Sequence, residues 1–443
     1  MRRGFGVLIA WMGLGILTAD GAETTLNLQA ALRLAGANNL TIRMARERVT
    51  ESQNELQQQR EQFFPWVAPG VGYRRHDGNL QDVVGEVFEV SKQSGTVALA
   101  LQAQVDLGET YYRVLAAKQE VAASEADAEA RRRETCLSVA LAYTELCRAV
   151  ASVSAAEEAV GISRRTTQQV EEAVAAGLAF TGDAQRSTVQ SGRAESELVE
   201  ARLAARLASS RLARLLRLPP EQPLQPDLNE FLPVVVVAAQ QPLDSLVAAA
   251  LTRRPEIRRA EAVVSGVRAR RDGAVKGPWW PTLGAQAGVG LLAGGPNDQF
   301  GNGDDFGDYS AGLSWRIGPG GMLDRARQRA AGARVRIAEM EADDLKDRVT
   351  GEVVELRSRA EFAVEQVAIA ARNVTASRRL VELTQGRREF GIGAVLESVD
   401  AERELARART EHLRAIANHN GCQWEFWYVI GQDDPGAPSV PSP

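Results

Sequence analysis

The sequence predicts a mostly α-helical protein with a small β part, built as a tandem repeat of long coiled-coil helical hairpins and four strands. Three observations predict this fold class. Helix-forming residues crowd the 443-residue chain and aromatic residues make up only 5% of it, which favours long packed helices over a compact mixed core. The two halves resemble each other in sequence, and each half carries segments in which apolar residues alternate with polar or small ones.

The two halves share three segments in the same order, which indicates a tandem duplication. The matched pairs are Ile42 with Ile257, Pro65 with Pro281 and Gly177 with Gly391, at offsets of 215, 216 and 214 residues. Each copy is expected to contain one opening helix of about 35 residues, two strands separated by a Gly/Asp/Asn-rich loop, a very long helix, a Gly-centred break and a last helix. We therefore predict a first repeat over 23–218, a linker with a short strand or extended segment over 219–242, and a second repeat over 243–431.

The two ends of the chain are expected to lie outside the fold. Arg2 and Arg3 precede an apolar run from Val7 to Leu17, and small residues follow. This is the layout of a secretory signal peptide, which we place at 1–22. A membrane anchor is the alternative, but the run is shorter than the roughly 20 apolar residues that a membrane helix needs. The Pro-rich tail, 432–443, is predicted to be disordered.

Four segments show the period of two that is typical of strands. They are Thr96 to Leu107, Tyr309 to Ile317, a segment with Leu283 to Leu291 on one face, and a segment with Val67, Val71 and Tyr73. An ordinary half-buried sheet and outer-membrane barrel strands both fit this pattern. In a barrel, the aromatic side chains of Trp66, Tyr73, Tyr309 and Trp315 would lie at the membrane interface, and the lumen would be lined by Gln102, Gln104, Asp106, Ser314 and Arg316. Four strands cannot close a barrel, whereas three copies would supply twelve.

The predicted helix from Met322 to Phe390 would be roughly 100 Å long. Its apolar positions recur at alternating gaps of four and three, a 3.5-residue period that predicts left-handed coiled-coil packing. They are Val349, Val353, Leu356, Ala360, Ala363, Val367, Ala370, Val374, Ser377 and Val381. Because most of these residues are Ala or Val, helices can approach closely and form assemblies of large radius.

Several function classes are not indicated. The net charge is −5 and the arginines alternate with acids, so no nucleic-acid partner is predicted. The sequence has no phosphate-binding GxxxxGK[ST] loop, no Ser/His/Asp grouping that predicts a hydrolase and no Cys/His spacing for zinc. We therefore predict neither an enzyme nor a bound cofactor or metal. Asp304, Asp305 and Asp308 are interpreted as part of a mobile extracellular loop, because the calcium-loop spacing is incomplete.

The order and double occurrence of these parts resemble the TolC-type outer-membrane efflux protein family. The resemblance covers about Leu26 to Gly431, and its most specific pieces are "ALRLAGANNLTIR" with its second-copy partner "LTRRPEIRRA", the two aromatic-Pro steps and the two Gly-centred segments. It implies a homotrimer with a twelve-stranded β-barrel in outer-membrane lipid and an α-helical barrel projecting into the periplasm. It also implies a passive channel that joins a periplasmic adaptor and an inner-membrane RND or ABC pump, to export small toxic molecules, metal ions or proteins. The alternative is a periplasmic coiled-coil scaffold or adaptor with a soluble sheet.

The helix breaks are the candidate functional sites. The resemblance places them at the periplasmic tips, where adaptors dock; the residues are Gly177, Leu178, Ala179, Gly391, Ile392 and Gly393. Acids follow each break and are candidates for a periplasmic gate; they are Asp183, Glu397 and Asp400. Three copies around one axis would form a cation-attracting constriction. The alternative is that these acids only stabilise the first turns of helices, where the helix dipole favours negative charge.

Overall fold

The computed structural model describes residues 26–219, 221–237, 241–296, 300–389 and 395–432, and confirms a mostly helical fold with a small sheet. The helices are α1 (Leu28–Asn38), α2 (Leu40–Glu61), α3 (Leu107–Ala175), α4 (Thr181–Leu216), α5 (Leu243–Arg253), α6 (Pro255–Lys276), α7 (Arg325–Glu389) and α8 (Val395–Val429). The strands are β1 (Trp66–Gln81), β2 (Val87–Asp106), β3 (Thr282–Pro296) and β4 (Asn302–Ser314). The predicted signal peptide, and the predicted tail apart from Gln432, lie outside the described residues.

The four strands form one antiparallel sheet in the order β1-β2-β3-β4. The helices that adjoin the strands follow the same order as the strands, because α3 packs between α2 and α6, and α6 packs between α3 and α7. The Asp106 side chain accepts a hydrogen bond from the Glu109 N–H at 2.9 Å and so caps α3 directly at the end of β2. Gly108 lies against the Gly277 backbone, where a side chain would clash. Strands and helices therefore form one continuous wall.

The two faces of the sheet differ in chemistry. Residues paired across the strands lie on the same face, and one face carries Leu99 beside Val289 and Val97 beside both Val71 and Leu291. These apolar side chains are half or more exposed in the single chain. The other face is polar or small and includes Gln102, Gln104, Asp106, Gln286, Ser310 and Ser314.

The predicted 3.5-residue seam of α7 is buried, which confirms the coiled-coil interpretation. Val349, Val353 and Ala360 are at most 1% exposed, and Leu356, Ala363, Ala370 and Val381 are also buried. The remaining seam positions, Val367, Val374 and Ser377, are half-buried. α7 packs against α8, α6 and α5, and α3 packs against both α4 and α8. The chain thus forms two long helical hairpins, α3–α4 and α7–α8, that lie side by side.

The opening helix of each copy is broken, which corrects the prediction of one helix of about 35 residues. The breaks fall at Asn39, between α1 and α2, and at Arg254, between α5 and α6. Both residues have extended backbone conformations, with ψ of 130° and 127°. The Asn39 side chain caps α2 by accepting from the Thr41 N–H at 2.8 Å, and Pro255 occupies the first position of α6, where its missing N–H costs little.

The strands also differ in extent from the prediction. β2 begins at Val87 rather than Thr96 and ends at Asp106, because Leu107 already belongs to α3. β4 begins at Asn302, so the three aspartates that we interpreted as a mobile loop lie in a strand, with Asp304 paired to Leu292 and Asp308 to Gly288. The ladder extends through these polar residues because their backbone groups still pair. Arg316, predicted to line the lumen from a strand, lies just beyond the end of β4, in a segment without regular structure.

The linker is held by buried polar side chains of α8 instead of by a strand. The Asn420 side chain accepts from the Val234 N–H at 3.0 Å and donates to the Leu232 carbonyl at 2.9 Å. The Gln423 side chain accepts from two further N–H groups, of Val236 and Val237, at 3.0 Å each. Within 221–237, regular structure is limited to a 3-10 helix, Leu228–Glu230, and a single bridge between Pro226 and Leu26.

The main core lies where the linker meets α1, α3, α4, α7 and α8. Leu146, Leu212, Leu216, Val353 and Phe426 are among its fully buried apolar side chains. α3 also contains a window long and apolar enough to cross a membrane, and 44% of that window is buried inside the chain. Its packing in the core accounts for its apolar character.

Candidate functional site

The first helical tip, between α3 and α4, is closed by a turn that depends on glycine. Gly177 has φ of +74°, in the left-handed region that glycine adopts most easily. Its N–H donates to the Val174 carbonyl, and the Leu178 N–H donates to the Ala173 carbonyl, both at 2.9 Å. This pair of bonds is the Schellman motif, which satisfies the last carbonyls of a helix. The helix therefore breaks where the sequence predicts a break.

Two large apolar side chains project from this tip. Leu178 is 84% exposed and Phe180 is 75% exposed, whereas Ala179 is half-buried. The Phe180 ring lies over Gly182, where an added Cβ would clash with it. Adjacent exposed apolar side chains indicate a contact surface. Phe180 was missed by the sequence analysis, although a lone aromatic residue directly after a Gly-centred break is a usable signal.

The acid after the first break is paired within its own helix. Asp183 lies in the first turn of α4, and its carboxylate is 3.6 Å from the Arg186 guanidinium. The helix dipole favours an acid at this position. Among the described residues, no hydrogen bond or ion pair joins Asp183 to the other two predicted gate acids.

The acids after the second break lie at the start of α8. The Glu397 carboxylate is 3.2 Å from the Arg387 guanidinium near the end of α7, so an ion pair spans this tip. Asp400 is exposed and has no ion pair within the described part of the chain. Gly391, Ile392 and Gly393 lie outside the described residues. Arg387 was missed because pairing between the end of one helix and the start of the next has no fixed spacing in the sequence.

Two polar contacts join the two hairpins to each other on the side of the molecule that carries the tips. The Thr166 hydroxyl of α3 donates to the Glu402 carboxylate of α8 at 2.5 Å. Farther from the tip, the Arg409 guanidinium of α8 donates to the Glu158 carboxylate of α3 at 2.9 Å. The partners are more than 230 residues apart in sequence, so no local pattern predicts them. They tie the two tips together.

Several exposed aromatic side chains lie at the end of the sheet that adjoins the helices. Trp66 is 48% exposed and Trp315 is 50% exposed, but Trp66 pairs with Gln102 and so lies on the polar face of the sheet, not on the lipid-facing side that the predicted girdle requires. The sequence analysis did not assign Trp279 and Trp280 to this group, but they are 65% and 51% exposed beside the start of β3. Trp280 stacks on Tyr111 at a ring separation of 6.1 Å. The aromatic residues mark the level at which the sheet meets the helices.

The described residues contain no cluster of three or more His, Cys, Asp or Glu side chains that could hold a metal. Cys136 and Cys147 are buried and form no disulfide with another described residue, and burial, with the nearby Glu230 carboxylate, raises the pKa of Cys147 to about 12. Such a thiol is largely unreactive at neutral pH. Burial also lowers the pKa of His412, and His419 is engaged through Nε2 with the Val234 carbonyl at 2.9 Å.

Comparisons with known proteins agree with this architecture. The model of the outer membrane efflux protein family matches residues 31–216 and 246–419, whereas no curated protein matches the chain. The fold is similar to the outer membrane protein VceC from Vibrio cholerae, with 19% identity, TM-score 0.76 and coverage of 91% of this chain and 96% of that one. It is also similar to CusC (17% identity, TM-score 0.77, coverage 91% and 92%) and to the open state of MtrE from Neisseria gonorrhoeae (20% identity, TM-score 0.72, coverage 91% and 88%).

The family match spans both halves of the chain and includes both long hairpins. It confirms the family resemblance and favours a transport channel over a soluble scaffold or adaptor. The family and fold are those of passive channels rather than enzymes. The chain therefore belongs to the outer membrane efflux protein family, whose members are efflux channels that span the outer membrane and extend into the periplasm.

Proposed function

We propose that three copies of this chain form a passive exit duct through the outer membrane and periplasm. The observation that carries this proposal is the four-stranded sheet, whose apolar face is exposed and whose two outer edges, on β1 and β4, pair with no further strand among the described residues. Two copies would supply eight strands, but an eight-stranded barrel is just wide enough for side chains to fill it. Three copies supply twelve and leave room for a duct.

The two open edges of the sheet carry complementary charges. On β1, Arg75 pairs with Asp77 at 2.7 Å and the exposed Arg74 has no ion pair among the described residues, whereas Asp304, Asp305 and Asp308 lie on β4. Strands β1 and β4 run in opposite directions, so the β1 of one copy can pair with the β4 of the next as an antiparallel ladder. Opposite charges at such a junction favour this pairing over the pairing of like edges.

The helices also expose apolar side chains that a neighbouring copy can cover. On α4, Val199 and Leu203 are 66% and 57% exposed, and on α7, Phe362 is 66% exposed. Side chains of this size gain roughly 1.5–3 kcal/mol each on full burial. We propose that three walls of helices close into a tunnel below the barrel.

In this assembly each repeat, 23–218 and 243–431, contributes two strands and one hairpin, and the linker 219–242 joins them. We propose that the signal peptide 1–22 is removed on export. The exposed Leu178 and Phe180 are proposed to contact a periplasmic adaptor, which connects the duct to an inner-membrane RND or ABC pump. The cargo classes are small toxic molecules, metal ions or proteins.

We propose that the acids after the breaks form the periplasmic gate. Because Arg387 neutralises Glu397 and Arg186 lies beside Asp183, Asp400 is expected to contribute most of the uncompensated negative charge. The cross-hairpin contact of Thr166 with Glu402 is proposed to hold the gate closed.

The assembly is tested by native mass spectrometry of the full-length protein expressed with its signal peptide and purified from outer membranes. Three copies are expected; a monomer, or mature protein recovered in the soluble periplasmic fraction, would contradict the proposal.

The gate is tested by recording single channels in planar bilayers. Asp400→Asn is expected to raise conductance and lower cation selectivity more than Glu397→Gln does. Glu404→Gln with Glu411→Gln is the matched control, because it removes two exposed acids of α8 away from the tip. Equal behaviour of the wild type, Asp400→Asn and the control would argue against the gate.

A further inference from the structure

A cleft rich in arginine lies just below the sheet, between the first turns of α3 and α7 and the last turns of α6. It has a volume of about 540 Å³, and its charged lining consists of Arg113, Arg270, Arg271, Arg327, Arg334 and Glu109. The whole chain has a net charge of −5, so this local excess of positive charge is not explained by composition. We propose that the cleft binds a multiply charged oxyanion, such as a phosphate group or a cluster of carboxylates.

Helical spacing places these arginines together. Arg327 and Arg334 are seven residues apart on α7 and therefore lie on one face, and adjacent arginines of α6, Arg270 and Arg271, face them. Apolar groups form the floor, because Tyr112 of α3 packs closely on Gly273 of α6, whose added Cβ would be 3.0 Å from the Tyr112 Cβ. The cleft thus has low-dielectric walls, which strengthen electrostatic attraction within it.

The carboxylates at the cleft are too few to neutralise its cations. Glu109 accepts hydrogen bonds from two guanidinium groups, of Arg113 at 2.7 Å and Arg327 at 2.9 Å. Burial alone would raise its pKa, but these two cations hold it below the ordinary value. Asp272 is shared in the same way between Arg271 and Lys276.

The two other arginines of the cleft, Arg270 and Arg334, form no ion pair with its carboxylates. Arg270 has a partner outside the cleft, Glu120, at 3.2 Å. Arg334 is exposed and has no ion pair in the described part of the chain. Because each carboxylate is shared between two cations, guanidinium N–H groups remain available to a ligand, and guanidinium forks match the geometry of phosphate and carboxylate oxygens. An oxyanion would relieve the repulsion among the arginines.

The cleft opens on the polar side of the wall. An adjacent groove shares Glu109, Arg113 and Arg327 with it, and is also lined by Gln104 and Asp106 of the polar sheet face. If three copies close with that face inward, the cleft opens into the duct where helices give way to strands. This location rests on the proposed function, whereas the binding itself does not. The ligand is therefore a soluble anion or an acidic group of the cargo, not a lipid headgroup.

Isothermal titration of the purified full-length protein with inorganic phosphate at low salt tests the proposal. Arg327→Gln with Arg334→Gln is expected to weaken binding at least about tenfold, because each lost guanidinium removes a charge-assisted hydrogen bond. Arg329→Gln with Arg336→Gln is the matched control, since it removes the same charge from the opposite face of α7. Equal weakening in both variants, or no saturable binding by the wild type, would overturn the proposal.

A second variant is expected to change the phosphate affinity in the opposite direction. Glu109→Gln removes the carboxylate that competes with the ligand and is expected to tighten phosphate binding several-fold, which a loss of structure would not do. If a variant has no channel conductance but still binds phosphate, the result counts against the proposed duct and leaves the proposed anion site unaffected. If nanodiscs containing phosphatidylglycerol displace phosphate and nanodiscs of neutral lipid do not, the ligand is a headgroup and the soluble-anion assignment is wrong.

Discussion

Gly177→Ala tests whether the first tip depends on a left-handed residue. An added Cβ at Gly177 would meet no atom within 4 Å, so the cost of the substitution is conformational and not steric. A left-handed L-residue costs roughly 1–2 kcal/mol, and Gly177 has φ of +74°. Alanine also restricts the unfolded chain, which favours the folded state by about 0.4–1 kcal/mol and partly offsets this cost.

Hydrogen exchange measured by mass spectrometry reports this cost locally. The two N–H groups of the motif, of Gly177 and Leu178, are bonded at 2.9 Å and exchange only when the turn opens. A loss of about 1 kcal/mol in opening free energy corresponds to roughly fivefold faster exchange. Peptides that cover residues 170–183 are therefore expected to exchange about fivefold faster in the variant, while the core of α3 is unchanged.

Gly192→Ala is the matched control, since Gly192 lies inside α4 and an added Cβ would also meet no atom within 4 Å. Alanine is favoured over glycine in a helix interior by up to about 1 kcal/mol, so exchange around residue 192 is expected to slow. If Gly177→Ala leaves exchange at the tip unchanged, or slows it as Gly192→Ala does, the glycine-dependent turn is not the stable conformation of the tip.

Two further predictions concern the sheet and the core. Leu99→Arg places a charge on the apolar face and is expected to cost about 2–4 kcal/mol at the bilayer midplane, which would appear as loss of the protein from the outer-membrane fraction. Ala100→Arg, on the polar face, is the control and is expected to insert into the membrane and to change the channel conductance. Equal loss of both variants from the membrane would show that the two faces are assigned wrongly. Arg254→Ala leaves the half-buried Glu256 carboxylate without its cation, so a loss of up to about 3 kcal/mol should lower the thermal-aggregation midpoint, whereas Arg253→Ala at the exposed neighbour should not. Burial acts to raise the pKa of Glu256, but Arg254 and the Tyr428 hydroxyl hold this pKa below its ordinary value of 4.5. The stabilisation by the Arg254–Glu256 pair is therefore present above pH 4.5 and is lost on further acidification. A thermal-aggregation midpoint that is equally acid-sensitive in the wild type and in Arg254→Ala would refute this prediction.

Periodicity predicted the parts of the fold that repeat. The seam through Val353 and Ala360 is buried as the 3.5-residue spacing requires, and alternation around Leu99 marks the sheet face correctly. Strand ends were less predictable, because backbone pairing continues through residues such as Asp304 that have low strand propensity. Alternation alone also extended β2 to Leu107, although a cap at Asp106 starts a helix there.

At the candidate site, the sequence indicated where the chain turns but not what the side chains contact. Gly177 is a local signal, since its conformation depends on its own backbone. The Arg387–Glu397 pair and the Thr166–Glu402 contact depend on how hairpins pack, and no spacing rule in one sequence encodes that. The arginine cleft was missed for the same reason, because Arg113 and Arg334 come together only when α3 and α7 pack on α6.

The duplication explains why both opening helices break, and the two breaks show how copies diverge. Asn39 and Arg254 are 215 residues apart, the same offset that relates Ile42 to Ile257. Both are buried, yet Asn39 donates to the Leu215 carbonyl at 3.0 Å, whereas Arg254 donates to the Glu352 carboxylate at 2.6 Å. The break is therefore inherited from one ancestral unit, because a bend at this level lets each short helix cover the core. Its anchor has been replaced in one copy, since the two halves pack against different helices.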